Sequence, residues 1–300
     1  MKDYKYNVFG LIIQSEIKLP ELPKVEDQES NVWIKIGKVP DHLPLPAGSG
    51  VLYEASQDDF LLRLNNVAKY RVQNGKNITV EPSKNSTPQE IRLFLFGSVM
   101  GALLHQRSLL AIHGSCISKG NRGIIFTGKS SAGKSTLAAG LHAKGYSVVT
   151  DDIAVVDTDK DEKHIILPGV PQIKLWKDVL NQLNEKSILT KVRFHFEKYY
   201  LPIQSLETSG TIFLDKIIFL TTKNTPGYHF SEVVGSEKFN ILRENTYRIQ
   251  YVDKFNRLED HFKNISQLAS TIQLFKVERP FSPLQLKYFA DFIEKKIFNI

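Results

Sequence analysis

The stretch "FTGKSSAGKSTLAAGL", Phe126 to Leu141, decides the reading of this chain. Gly128, four further residues and then Gly133-Lys134-Ser135 satisfy the pattern G-x-x-x-x-G-K-[ST]. Each element has a physical task. The loop must curl until successive N–H groups converge on one anion, and glycines permit the backbone angles and the close approach. Lys134 supplies a point charge for the outer phosphates, and the Ser135 hydroxyl is a hard oxygen that suits Mg2+. A helix opening near Lys134 turns its positive end toward the same anion. Average residue frequencies give the pattern about a one per cent chance in a chain this long. Its surroundings reduce that further, because "GIIF" before it reads as a strand and "TLAAGLHAK" after it as a helix that Gly145 can end. The candidate nucleotide contacts are therefore Gly128, Ser130, Ser131, Ala132, Gly133, Lys134, Ser135 and Thr136.

Two further features flank the loop. Downstream, "SVVTDDIAVV" carries Asp151 and Asp152. The intervening chain suffices for one short helix, a turn and a strand lying beside the loop's own strand. Both carboxylates then stand at a strand end next to the phosphates. One can hold Mg2+, and the other can take a proton from an attacking hydroxyl. The plain alternative is a polar turn, although the apolar run "IAVV" directly after the pair is unusual for one. Upstream, "LLAIHGSCI" reads as a strand that brings His113 near the same place. A neutral imidazole there could donate to a phosphate oxygen or take part in proton transfer. A satisfied core histidine is the alternative.

The rest of the chain organises around this centre. Residues 1–105 read as a smaller β-rich region. "NVWIKIGKV" alternates apolar and polar side chains, and Asn74-Gly75 offers a hairpin turn in "AKYRVQNGKNITVEP". Thr87, Pro88 and Glu90 form the signature of a capped helix, followed by the almost wholly apolar "IRLFLFGSVMGALLHQ". Residues 106–300 read as alternating strands and helices, an α/β (α+β mixed) domain. Its last helix is expected to open with Ser282 as cap and Pro283 at its first position. With 42% hydrophobic residues the chain can bury a large core. A single cysteine, Cys116, rules out an internal disulfide framework, and no apolar run is long enough for a membrane span. The opening "MKDYKYNVFG" lacks the apolar segment of a secretion signal, so a cytoplasmic protein is expected. The net charge of +7 is not concentrated in a block and reads first as a lysine-rich surface.

The pieces "HGSCI", "GKSSAGKST" and "VVTDDIAVV", in that order, resemble the C-terminal catalytic domain of HPr kinase/phosphorylases. The resemblance spans Leu109 to Val156 and weakens over "PGVPQIKLW" and "ERPFSPLQLKYFADF". It implies a P-loop kinase domain related to the nucleotide site of phosphoenolpyruvate carboxykinase, with ATP and Mg2+ as cofactors. It also implies transfer of phosphate to a serine hydroxyl. On the matching positions, Gly128, Gly133 and Lys134 would hold phosphates and Ser135 would bind Mg2+. Asp151 would be the base, Asp152 the metal-side carboxylate, with the two roles exchangeable, and His113 would be the active-site histidine. Thr136 departs from the glutamate usual in the phosphocarrier kinases, and their second signature is not found. The layout from "FGLIIQSEIKLPELP" to "LLHQRSLLAIHGS" is similar instead to smaller HPr-kinase-like proteins encoded beside ribosomally made peptides. These include kinases that phosphorylate lasso-peptide precursors on a C-terminal serine.

A peptide serine is therefore the expected acceptor. The alternatives are a kinase of a small hydroxylated metabolite and a nucleotide sensor or NTPase without an acceptor. The expected partners are a nucleotide and a peptide or protein bearing a serine, with self-association as a further expectation. Neither a nucleic acid nor a membrane is expected, since the basic residues form no stripe interleaved with aromatics. Lys174, Arg193 and Arg279 are candidate cations for an acidic peptide or the transferring group, with a solvated surface role as the alternative.

Overall fold

The structure is a computed structural model that describes residues 3–185, 189–192, 197–203, 210–224, 226–281 and 285–298. Arg193 and the expected cap Ser282-Pro283 lie outside the described residues. The chain is a mixed α/β structure that divides into two compact units. One is Met1–Ala111 with Thr246–Ile265, and the other is Ile112–Asn245 with Ser266–Ile300.

In the first unit the strands are β1 (Tyr4–Val8), β2 (Leu11–Ser15), β3 (Val32–Ile36) and β4 (Gly48–Ser49), then β5 (Tyr53–Ser56), β6 (Asp59–Leu64), β7 (Ala68–Gln73) and β8 (Asn77–Pro82). They form one sheet in the order β1-β2-β3-β8-β7-β6-β5-β4. Alternation sets its buried face, where Tyr6, Ile13, Ile34, Phe60, Tyr70 and Val80 are almost fully enclosed. Asn74 and Gly75 both take positive φ, 54° and 59°, and Lys76 N–H closes on Gln73 O, the mirror-image turn that suits a right-twisted hairpin.

The capping box at Thr87 and Glu90 is formed, with Pro88 opening α1 (Pro88–Phe94). The helix continues through a π-helical turn, Leu95–Val99, into α2 (Met100–Gln106), and both of these segments are buried throughout. Such apolar character all round requires burial on several sides. Tyr70 Oη donates to Ile91 O, and Gln106 bridges Gly75 N and Val72 O.

The second unit starts within β9 (Leu110–Lys119) and continues through β10 (Arg122–Thr127), α3 (Lys134–His142), β11 (Ser147–Thr150), β12 (Ile153–Thr158) and β13 (His164–Leu167). Next come β14 (Gln172–Trp176), α4 (Lys177–Gln182), β15 (Thr190–Lys191), β16 (Lys198–Pro202), β17 (Ile212–Lys223), β18 (His229–Val233) and α5 (Ser236–Glu244). The chain then contributes α6 (Gln250–Lys254) and most of α7 (Leu258–Thr271) to the first unit, where Tyr251 and Phe255 meet the ring of Phe60. It returns as β19 (Gln273–Pro280) and α8 (Leu286–Phe298).

The main sheet of the second unit runs β10-β9-β12-β13-β17-β19-β18, and a further pairing joins β10 to β17. Strand β10 thus lies between an antiparallel neighbour, β9, and a parallel one, β17. Strand β11 pairs with β9. The strand leading to the carboxylates therefore does not lie beside the loop's own strand, as its short separation suggested, because β9 stands between them. A small sheet, β14-β16-β15, completes the unit. Phe126, Leu137, Ala138, Leu141, Ile173, Leu175, Leu220, Phe289 and Ile293 share one core. Gly140 brings α3 against α8, since a Cβ there would crowd Leu286 and Ala290. Among the described residues no helix is long and apolar enough to cross a membrane.

Candidate functional site

The glycine-rich loop leaves the end of β10 and runs into α3. Gly128 has φ of 139°, and a Cβ at this position would collide with the Leu220 carbonyl on β17. Only glycine fits both demands. Gly128→Ala is expected to cost about 1–3 kcal/mol of stability, and chemical denaturation checks this. An unchanged midpoint would contradict the close approach. Ser131 and Gly133 take positive φ, 67° and 104°. Alternating handedness of this kind curls a loop into an anion-binding nest. Gly133 caps α3 without a side-chain hydrogen bond, which leaves the first-turn N–H groups for another acceptor. The loop also holds Lys134, which is buried and donates to Gly128 O at 2.8 Å and Lys129 O at 3.1 Å. Burial pushes the Lys134 ammonium below its ordinary range, against the pull of Asp151 and Asp152.

The two carboxylates face different partners. Asp151 is buried and accepts three hydrogen bonds: Ser115 Oγ at 2.5 Å, Ser135 Oγ at 2.8 Å and Lys174 N at 3.0 Å. Asp152 takes φ of 78°, a left-handed backbone that aspartate tolerates better than most residues. Its Oδ2 receives Lys174 Nζ at 2.9 Å, and Oδ1 lies 3.5 Å from His113 Nδ1. Burial acts to raise the Asp152 carboxyl, but the charge of Lys174, that of His113 when its ring is protonated, and the Lys174 hydrogen bond outweigh it. The carboxyl is held well below the usual range. His113 is pushed down by burial and by Lys134, so the ring is neutral near pH 7. Its Nδ1 lies 3.1 Å from Asp152 O, which can only accept, so the proton resides on Nδ1.

These groups line a cavity of about 380 Å3 together with Ser130, Ser131, Gly133, Ser135 and Thr136. Four cations, Lys134, Lys174, Lys198 and Arg279, share it with Asp151, Asp152 and Asp178. Trp176 and Phe281 line it as well, and Lys198 stands over the Trp176 ring. Every loop residue expected to touch a nucleotide lines the cavity except Gly128, whose carbonyl accepts from Lys134, and Ala132, whose carbonyl is held by Arg279.

The two residues expected from sequence to hold a metal, Ser135 and Asp152, face different partners. Ser135 bonds Asp151, while Lys174 occupies Asp152. The donor set of Ser135 and Asp151 is hard oxygen throughout and fits Mg2+, which takes few protein ligands alongside phosphate oxygens and water. Among the described residues no group of three or more His, Cys, Asp and Glu side chains gathers to hold a metal. Lys174 and Arg279 both line the cavity, and neither is exposed. Sequence reasoning missed Ser115 and Lys198. Ser115 was readable, since the two-residue period of β9 puts it on the face of His113. Lys198 carries no local signal.

No protein-family profile and no curated protein sequence matches the chain. Among solved structures it is similar to the HPr(Ser) kinase/phosphatase of Coxiella burnetii. Identity is 14%, the match covers 63% of this chain and 94% of that one, and the TM-score is 0.33. A likeness of that degree carries no argument about activity, which must rest on the residues themselves.

Proposed function

We propose that this chain is an ATP-dependent kinase that phosphorylates a serine hydroxyl of a peptide, with lasso-peptide precursors bearing a C-terminal serine as the leading substrate class. The observation that carries this reading is the division of labour between adjacent carboxylates. Asp151 is bonded to the loop serine, and Asp152 is turned toward Lys174 and His113. A nucleotide sensor needs only the first of these. The second supplies what an acceptor hydroxyl requires.

In this reading the loop N–H groups and Lys134 bind the outer phosphates. Ser135 and Asp151 would hold Mg2+, which when bound neutralises phosphate charge. Asp152 orients the acceptor hydroxyl and takes its proton. The serine Oγ–P bond forms as the bond to the ADP oxygen breaks. Phosphoryl transfer of this kind depends mainly on positioning and charge, so a carboxylate held strongly ionised suffices as the base. His113 fixes the Asp152 main chain through Nδ1, and Lys174 keeps the carboxylate charged.

The test is incubation with labelled ATP, Mg2+ and peptides ending in serine or alanine, followed by mass spectrometry. Phosphoserine is expected on the serine-ending peptides only, and Lys134→Met is expected to abolish it. Hydrolysis of ATP without transfer to any peptide would sink the peptide-kinase reading, and transfer only to small hydroxylated metabolites would replace it.

A further inference from the structure

Arg279, a candidate cation from the sequence, lines the cavity. It stands near the end of β19 and is buried, with 8% of its surface exposed. Among the described residues its guanidinium makes three hydrogen bonds, all to main-chain carbonyls: Nε to Ala132 O at 2.9 Å, Nη2 to Ser131 O at 3.0 Å and Nη1 to Pro280 O at 3.0 Å. Among the described residues no carboxylate forms an ion pair with it. Burying a cation without a counter-ion is costly, and burial duly lowers its pKa. A structural tie between β19 and the loop could be made more cheaply by a neutral donor.

The two loop carbonyls are consecutive, and that supplies the reason for a guanidinium. In a planar trans peptide the C=O of one residue and the N–H of the next point in opposite directions. Holding Ser131 O therefore aims the Ala132 N–H away from Arg279, and it closes on Lys129 O at 3.2 Å. Holding Ala132 O likewise aims the Gly133 N–H away. The rigid planar fork of arginine meets both carbonyls from two nitrogens in one fixed plane, whereas a lysine ammonium, such as that of Lys134 on Gly128 O and Lys129 O, must reach two carbonyls from a single point. Ser131 needs such support, since a non-glycine residue at φ of 67° is intrinsically disfavoured.

We propose that Arg279 is a positioning residue that sets two successive peptide planes of the glycine-rich loop, so that the loop is pre-formed for polyphosphate. This rests on the reading of the loop as a phosphate site. Arg279 acts through the loop, and its contribution is nucleotide affinity.

The test uses the full chain and compares wild type, Arg279→Lys and Arg279→Met. Measured quantities are MgATP and inorganic tripolyphosphate affinity by calorimetry, KM for ATP, kcat, and the Tm of the free protein. Both variants are expected to raise the KM for ATP by about 10-fold or more while kcat changes less than about 3-fold, the signature of lost binding that is uniform between ground and transition states. Tripolyphosphate affinity should fall with it. In a fourth protein, Arg279→Ala, added methylguanidinium is expected to restore ATP affinity. Arg279→Lys with wild-type affinity, or a lowered Tm at unchanged KM, overturns the proposal and leaves the kinase reading intact. Absence of any wild-type binding of MgATP overturns both.

Discussion

Asp152→Asn is expected to lower phosphate transfer by about 10²–10⁴-fold, the usual weight of a positioned base, while MgATP affinity stays within about 2-fold of wild type. Asp151→Asn is expected to behave differently. Its amide nitrogen can face Ser115 and Ser135, whose hydroxyls can accept as well as donate. Its oxygen can still receive Lys174 N–H, so the local fold survives while the charge is lost. The affinity for MgATP should then fall on the order of 100-fold, the scale for groups that fix a metal. Calorimetry in Mg2+ and in EDTA, beside single-turnover transfer, separates the two variants. The prediction follows from Ser135 Oγ lying 2.8 Å from Asp151 and from the occupation of Asp152 by Lys174. The opposite pattern, with Asp152→Asn losing Mg2+-dependent affinity, would return the base to Asp151.

That division was not legible in the sequence, for a physical reason. Adjacent aspartates look equivalent on paper, and what separates them is the backbone of one residue, Asp152 at φ of 78°. Features set by neighbouring residues were legible. The Asn74-Gly75 turn, the Thr87-Pro88-Glu90 helix start and the strand–loop–helix around Gly128 each obey rules that act within a few positions. Features set by distant pairing were not. Lys174 and Arg279 could be named as candidate cations, but their places on the cavity are set by β14 and β19, strands whose own patterns show only which side chains are buried. Thr246–Ile265 belongs with the first unit, although it lies beyond most of the second in sequence. A helix such as α7 carries its apolar stripe openly but does not name the surface that stripe will meet.

Lys174→Met is expected to move the acid limb of the kcat/KM profile upward by at least about one pH unit, because an opposite charge at contact distance lowers a carboxyl by roughly one to three units. In the wild type, burial raises the Asp152 carboxyl, and Lys174 is the foremost opposing charge, ahead of His113. Without the ammonium, burial is countered mainly by a histidine that is itself neutral near pH 7. Asp152 then protonates at a higher pH, and the protonated acid can neither take a proton nor orient the hydroxyl. The bond from Lys174 N–H to Asp151 is made by the main chain and survives, so MgATP affinity should change little. The sign carries over to stability. A carboxyl depressed in the folded protein stabilises it at neutral pH, and that stabilisation is lost as the pH falls through the folded value. The stability gap between wild type and Lys174→Met should therefore be present at pH 7 and close as the pH falls below about 4, the ordinary aspartate range. Lys174→Arg should keep the acid limb near its wild-type position, since it retains the charge. A profile that does not move in Lys174→Met would mean that transfer does not depend on ionised Asp152, and His113 Nε2, unprotonated in the same tautomer, would become the base to test next.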